Sequence, residues 1–369
     1  MNIELLREFC LAKRGVTESL PFDEETLVFK VCGKIFAVLA LEKPDRVVIK
    51  CHPARVHELR DRYVAIGEAP YFHKASWNQI RFDLDADDAL ILHLLDHAYG
   101  ETLRGLPKKA QIEFFSQSLP PWVRYVHKNV CASTMEEIAQ LLSPDTHPMS
   151  LVTTDLQRAG RGQRGNHWES ANGQNILFSF SFRPEGVKPA EQFYLSEAAA
   201  LALVDTIRPL LPADGPALTI KWPNDIYLND SKLGGMLLEH TIVGRHISCT
   251  TLGIGLNVNQ KVFHSDAPNP ISLSQAMGYE FPRYLLLETY LAHFFDRLDA
   301  FVCCGAPTGV LHAEFLHNLY RRQGVHTFRD AAGSFRASIA DVLPNGHLVL
   351  RCAEGTKRSY AFKEVQFVL

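Results

Sequence analysis

A chain of 369 residues exceeds one small domain and fits two or three, and a hydrophobic fraction of 46% supplies the cores they need. A formal net charge of -3 leaves no electrostatic case for general nucleic-acid or membrane binding, and charged residues recur too often for a transmembrane run. The start, MNIELLREFCLAKRG, has no apolar h-region and no small-residue cleavage site, so it reads as an amphipathic helix of a cytoplasmic protein.

In chain order, the spacing predicts a helix over residues 2–13 with Leu5, Leu6, Phe9 and Cys10 on one face. Strands follow at Thr26 to Cys32, Ile35 to Leu41 and Arg46 to Cys51, then a helix from Pro53 to Tyr63 and a strand from Gln79 to Leu84. A long helix from Asp87 to about Leu103 places Ile91, Leu94, Leu95 and Ala98 on one face and closes a small α+β domain over residues 1–116. On that helix His93 and His97 stand one turn apart, but without a third ligand nearby they make a poor metal site. Lys108-Lys109 and Pro120-Pro121 mark a linker.

A strand from Trp122 to Val126 leads to Ser133, which reads as a helix cap whose capping box is completed by Glu136. The helix runs to about Leu142, and a strand-like run comes after it at Leu151 to Thr154. Next comes the stretch QRAGRGQRGNHWES, where Gly160, Gly162 and Gly165 alternate with Arg161 and Arg164 ahead of Trp168. Glycines let backbone amides approach a ligand, and two guanidinium forks suit a phosphate. The spacing also satisfies the dinucleotide fingerprint G-x-G-x-x-G, but that motif needs a strand running directly into it and a helix opening after it. The strand-like run ends early and Asn166 to Gly173 is poor helix material, so a mobile anion-binding loop is the expectation.

Further on, a strand at Asn175 to Phe182 and a helix from Ala190 to about Ile207 precede Lys221-Trp222-Pro223-Asn224-Asp225. Pro223 holds Trp222 extended and ends the strand with polar groups beyond it. Lys232 then stands beside Gly234 and Gly235, and strands at Met236 to Val243 and His246 to Leu252 end in a Gly253-Ile254-Gly255-Leu256-Asn257 turn. Helices at about Arg283 to Phe301 and Thr308 to Tyr320 bound a domain over residues 120–322. Residues 323–369 are strand-rich, turn at Asn345-Gly346, and suit a small barrel. The eight cysteines form no C-x-x-C pair and read as reduced buried thiols.

Two resemblances arise from these motifs. Residues 1–116, including His73-Lys74-Ala75-Ser76-Trp77-Asn78, resemble the MmcQ/YjbR family. Acidic residues slightly outnumber basic ones there, so DNA binding is not expected, and Lys74 and Trp77 read as surface and core. From about Trp122 onward, GRGQRGNHW, KWPNDIYLNDSKLGG and GIGLN resemble biotin protein ligase. That resemblance implies an α/β catalytic domain around a mixed sheet, followed by a small SH3-like β-barrel. It also implies that ATP and biotin combine, with Mg²⁺ assisting, into biotinoyl-AMP, whose biotin passes to a lysine of a biotin carboxyl carrier domain.

By motif the resemblance assigns catalysis to Lys221, Arg161, Lys232 and Asp225. Biotin falls to Ser133, Thr134, Gln157, Gly160, Arg161, Gly162, Gln163 and Lys221. ATP falls to Arg161, Arg164, Trp168, Lys221, Asn224, Lys232 and Asn257. A homodimer is among the assemblies this leaves open. The chain departs from the family pattern at Met135, where many members have asparagine, and at Gln163, where many have arginine. The second change implies a less tightly held adenylate. The third departure is that the MmcQ/YjbR-like domain stands where some members carry a winged helix-turn-helix, so operator-specific repression is not expected. Lipoate–protein ligase is the nearest enzymatic rival, and a ligand-sensing DNA-binding regulator the rival of another class.

Overall fold

The computed structural model describes residues 1–141, 149–162, 167–264, 269–303 and 308–368, with the side chains of 302 and 303 left aside. The chain forms two compact units. The first comprises Met1–Phe115 with Gly278–Leu285, and the second comprises Ser116–Met277 with Leu286–Leu369.

The first unit contains α1 (Ile3–Leu11), β1 (Val16–Ser19), β2 (Thr26–Val31), β3 (Lys34–Ala40), β4 (Arg46–Lys50), α2 (Pro53–Arg62), β5 (Ile66–Glu68), β6 (Trp77–Arg81), α3 (Asp88–Arg104) and most of α4 (Lys108–Ser116). The strands form one antiparallel sheet in the order β1-β2-β3-β4-β6-β5. Its core packs Phe29, Phe36 and Ile49 against Leu6 and Cys10 of α1 and Ile91, Leu94, Leu95 and Ala98 of α3. Sequence periodicity misses β1 and β5, which are only four and three residues long and sit at the sheet edges. The stretch read as a linker at Lys108 is helical instead.

Within this unit the returning segment packs on the α3 face. Tyr279 lies edge-on to His97 at 5.4 Å, Glu280 pairs with Arg104 at 2.8 Å, and Gly100 leaves room for Pro282. His97 Nε2 accepts from the His52 backbone N–H at 3.1 Å, and burial pushes its pKa down.

The second unit is built on a seven-stranded mixed sheet. Its strands are β7 (Val123–Cys131), β8 (Met149–Gln157), β11 (Ile176–Phe182), β12 (Leu218–Lys221), β13 (Asp225–Leu228), β14 (Ser231–Val243) and β15 (His246–Leu256). Between β8 and β11 lies a two-stranded ribbon, β9 (Gly160–Arg161) with β10 (His167–Trp168). The sheet order is β12-β13-β14-β15-β11-β8-β7, parallel only between β7 and β8. Alternation decides its faces. Phe178 and Phe180 of β11 pack on Tyr290 and Phe294 of α8 (Arg283–Leu298), while Leu177 and Ser179 point the other way. On that other face lies α5 (Thr134–Leu141), and α6 (Phe193–Ile207), α7 (Leu273–Met277) and α9 (Thr308–His317) are further α-helices among the described residues.

The last strands, β16 (His326–Asp330), β17 (Gly333–Val342), β18 (Leu348–Cys352), β19 (Lys357–Tyr360) and β20 (Gln366–Phe367), make an antiparallel sheet in the order β19-β18-β17-β16-β20 around Phe328, Ile339 and Leu350. The small β-rich module expected at the C-terminus is therefore present. Among the described thiols Cys10, Cys51, Cys131 and Cys352 are buried, whereas Cys32 is exposed in a turn. Cys304 and the Cys303 side chain lie outside the described residues. No helix among the described residues is long and apolar enough to cross a membrane.

Two expectations need correction. β8 runs through Gln157, so a strand does lead into the glycine stretch; Leu156 and Gln157 stay extended because they pair with Val130 and Cys131 of β7. Beyond β8 the chain enters the β9–β10 ribbon and no helix opens among the described residues there, which argues against the dinucleotide fold. The GIGL residues are not a turn but the end of β15, paired on both sides.

Candidate active site

Cross-strand register places the chemistry in rows. Lys221 stands opposite Asp225, Asp225 opposite Gly235, Gly235 opposite Gly255, and Gly255 opposite Leu177. One pleat along, Leu237 stands opposite Gly253 and Gly253 opposite Ser179. Residues directly opposite share a face, so both rows floor one hollow, and glycines where other strands carry side chains make its depth. A cavity of about 560 Å³ lies there, within the size range of small-molecule sites.

Trp168 covers the first row. A Cβ added at Gly255 would stand 2.3 Å from its indole Cε2, and one at Gly235 3.3 Å from Cζ3. The ribbon carries the indole there, with Trp168 paired to Gly160, where a Cβ would meet the Trp168 carbonyl at 2.6 Å. Met135 covers the second row, its sulfur 2.7 Å from the Cβ that Gly253 lacks.

Beside Met135 is a buried polar chain. Gln157 Oε1 accepts from the Thr134 N–H at 2.8 Å and from Thr134 Oγ1 at 3.1 Å, and Ser179 Oγ donates to Thr134 Oγ1 at 2.8 Å. Ser133 caps α5 as expected in position but not in detail. Its hydroxyl accepts from Met135 N–H at 3.3 Å, and the Glu136 carboxylate turns outward to Arg161 at 2.5 Å, so no capping box closes.

Two lysines bring cations to the hollow. Lys221 Nζ donates to Tyr227 Oη at 2.8 Å, and burial lowers its pKa, Lys232 and Arg321 adding to that and Asp225 opposing it. Lys232 pairs with Asp225 at 2.7 Å and lies 5.8 Å from the Trp168 ring centroid. A bulge between Ile226 and Tyr227 leaves Leu233 unopposed and brings Lys232 across from Tyr227. Asn224 donates Nδ2 to the Met236 carbonyl, which fixes the chain after the cis Trp222–Pro223 bond.

Thus Ser133, Thr134, Gln157, Arg161, Gly162, Trp168, Lys221, Asn224, Asp225 and Lys232 all line one cavity. Gly160 packs behind Trp168 and does not line it. Asn257 is 3% exposed, gives Nδ2 to the Ile271 carbonyl at 3.1 Å, and keeps Oδ1 without a hydrogen-bond partner among the described residues. Gln163 and Arg164 lie outside the described residues. Sequence reasoning missed the lining residues His167, Leu237, Phe362, Lys363 and Phe367, the last three from the C-terminal module, and Tyr227, which does not line the cavity but accepts from Lys221. Tyr227 could have been found from its two-residue spacing to Asp225, which puts both on one strand face. The module residues carry no such signal.

Comparison with known proteins gives two family matches. Residues 11–101 match the YjbR model, and residues 128–257 match the biotin/lipoate A/B protein ligase family. The bifunctional ligase/repressor BirA of Bacillus spizizenii is 29% identical over 242 residues, covering 64% of this chain and 72% of that protein. A biotin–[acetyl-CoA-carboxylase] ligase of Paracoccus denitrificans is 40% identical over 144 residues, covering 37% of this chain and 58% of the relative. The solved structure of biotin protein ligase from Aquifex aeolicus, in complex with biotin and ATP, shares the fold with a TM-score of 0.55 at 19% identity, covering 66% of this chain and 99% of that one.

Proposed function

We infer that this chain, which carries a YjbR domain ahead of a biotin/lipoate A/B protein ligase domain, activates biotin with ATP and passes it to a lysine of a biotin carboxyl carrier domain. The observation that carries the reading is one cavity holding Arg161, Lys221 and Lys232 with Trp168 over one row and the Ser133, Thr134 and Gln157 set by the other. An acyl-adenylation site needs both halves. Cations oppose the charge that gathers when a carboxylate meets a phosphate, and buried hydrogen-bonding groups orient the acid.

In the first half-reaction a biotin carboxylate oxygen attacks the α-phosphorus. The bond to the β-phosphate breaks, pyrophosphate leaves with its electron pair, and biotinoyl-AMP remains. Lys221 faces the carboxylate and the α-phosphate, while Lys232 and Asn224 attend the phosphates. Arg161 and Gly162, which line the cavity, border the adenylate, and the Arg161 guanidinium opposes its charge. Trp168 offers its face to adenine; Asn257, whose buried Oδ1 does not line the cavity, would reach a purine amine only after a rearrangement. In the second half-reaction the carrier's lysine amine attacks the acyl carbon. Asp225 takes up the proton, the bond to AMP breaks, and an amide forms.

Magnesium fits the donor set only as a metal carried by the nucleotide. Among the described cavity residues Asp225 is the one carboxylate, and magnesium is commonly held by one or two carboxylates plus phosphate oxygens. Bound there, it would neutralise charge on the triphosphate.

The ligase family joins biotin and lipoate enzymes. The Thr134–Gln157–Ser179 chain favours biotin, whose ureido head uses such groups, over a dithiolane, which does not. The test is labelling of a carrier fragment with ATP, magnesium and either acid. Biotin is expected to label the fragment and lipoate to leave it unlabelled, with Lys221→Ala slower by about 100-fold or more. Labelling by lipoate alone, or none by biotin, overturns the reading.

A further inference from the structure

Lys221 stands beside two rings from separate segments, which a third ring backs. Its ammonium donates to Tyr227 Oη at 2.8 Å, lies 4.6 Å from the centroid of that ring, and lies 5.6 Å from the centroid of Phe367 in β20. Tyr320 closes the gap, with its ring 5.3 Å from Tyr227 and 6.1 Å from Phe367.

The rings are themselves anchored. Tyr320 donates to Asp230 Oδ1 at 2.5 Å and accepts from Arg321 Nε at 3.1 Å, while Arg321 Nη1 reaches the Val368 carbonyl at 2.7 Å. Arg321 takes a left-handed backbone, with φ at 56°, to make those contacts. Backbone bonds of 2.8 Å from Ile220 N–H to the Asn318 carbonyl and from Tyr320 N–H to the Ile220 carbonyl tie this segment to the strand that carries Lys221. A lysine stem is flexible, so an unsupported ammonium would sample many positions. Here one of its three donors goes to a fixed phenol and the rings bar its apolar side, which leaves two donors for the cavity.

We propose that Tyr227 is a positioning residue for Lys221, acting with Tyr320 and Phe367 to aim the ammonium into the cavity, so that the C-terminal module completes the active site. Tyr227 acts through Lys221 and not on substrate. The proposal rests on the role given to Lys221 above, and the test separates the two.

Steady-state biotin-dependent ATP–pyrophosphate exchange would be measured for Tyr227→Phe, Phe367→Leu, Phe367→Tyr and Lys221→Ala, with melting curves for each. Misplacing a catalytic group by about 1 Å can cost roughly 100-fold, so Tyr227→Phe is expected to lower kcat by about 10- to 100-fold. The KM for biotin and for ATP, and the melting temperature, should stay close to wild type. Phe367→Leu keeps the apolar volume but loses the ring face, and is expected to lower kcat less, with Phe367→Tyr restoring it. Wild-type kcat in both Tyr227→Phe and Phe367→Leu beside an inactive Lys221→Ala overturns the positioning role alone. An active Lys221→Ala overturns the underlying reading. Loss confined to KM also overturns the positioning role, since it would mean that Tyr227 serves binding.

Discussion

A methyl group at Gly255 would stand 2.3 Å from Cε2 of Trp168, closer than any relaxed carbon contact, so the indole would have to leave its floor. Overpacking of this kind typically costs about 1–3 kcal/mol. If Trp168 offers its face to adenine, Gly255→Ala should weaken ATP binding by about 10-fold or more. Biotin, proposed to sit by Thr134 and Gln157 over the neighbouring row, should bind nearly as before. Calorimetric titration of each ligand checks this, and unchanged ATP affinity would remove Trp168 from the nucleotide site. Lys221, Lys232, Arg161 and Trp168 were legible as a group because cations and an aromatic clustered near glycines have few structural reasons to be there. Tyr227 was harder to see, because a tyrosine inside a strand is ordinary until the register sets it beside an ammonium. Phe367 could not be read at all, since its place depends on how a separate sheet docks within the second unit.

At the level of elements, helices and central strands followed their hydrophobic periods, and the errors fell where partners decide the outcome. β8 extends to Gln157 because β7 pairs with it that far, and Gly253 to Leu256 stay extended because β14 and β11 flank them. One contact between elements carries a pH dependence. His312 of α9 gives Nδ1 to Glu197 of α6 at 2.7 Å and Nε2 to Asp341 of β17 at 2.9 Å. Burial pushes Glu197 up to about 7, with His312 opposing. For His312, burial works against protonation, but the carboxylates of Asp341 and Glu197 raise its pKa above the ordinary value.

Both groups thus hold protons in the fold at a pH where the unfolded chain has released them. Their contribution is full below about pH 4.5 and is lost as pH rises through neutrality. The melting temperature is expected to fall between pH 5.5 and 8.5, and to fall less in Glu197→Gln, by roughly 2–4 °C for each kcal/mol removed. Parallel slopes for the two proteins would dismiss this cluster as the cause.

For the whole molecule, the first unit holds the contact furthest from any sequence signal. Its sheet and α3 were legible, but the return of Gly278–Leu285 to pack on it was not, because Glu280 and Arg104 are 176 positions apart and nothing local announces their pairing. Some relatives of the ligase part are named ligase/repressors. Here residues 11–101 match YjbR, and acidic residues slightly outnumber basic ones in that region. We therefore expect a gel shift of the full chain with a biotin-operon operator to show no complex that survives raised salt, and a salt-resistant, sequence-specific band would reverse that view.

The central claim is that Lys221 and its neighbouring cations let a carboxylate attack ATP. It is tested most directly by ATP–pyrophosphate exchange in the purified full chain, with and without biotin. The account requires label to enter ATP only when biotin is present, and the rate to drop by about 100-fold or more in Lys221→Ala. Exchange that ignores biotin, or that persists at the wild-type rate without the Lys221 ammonium, would contradict it.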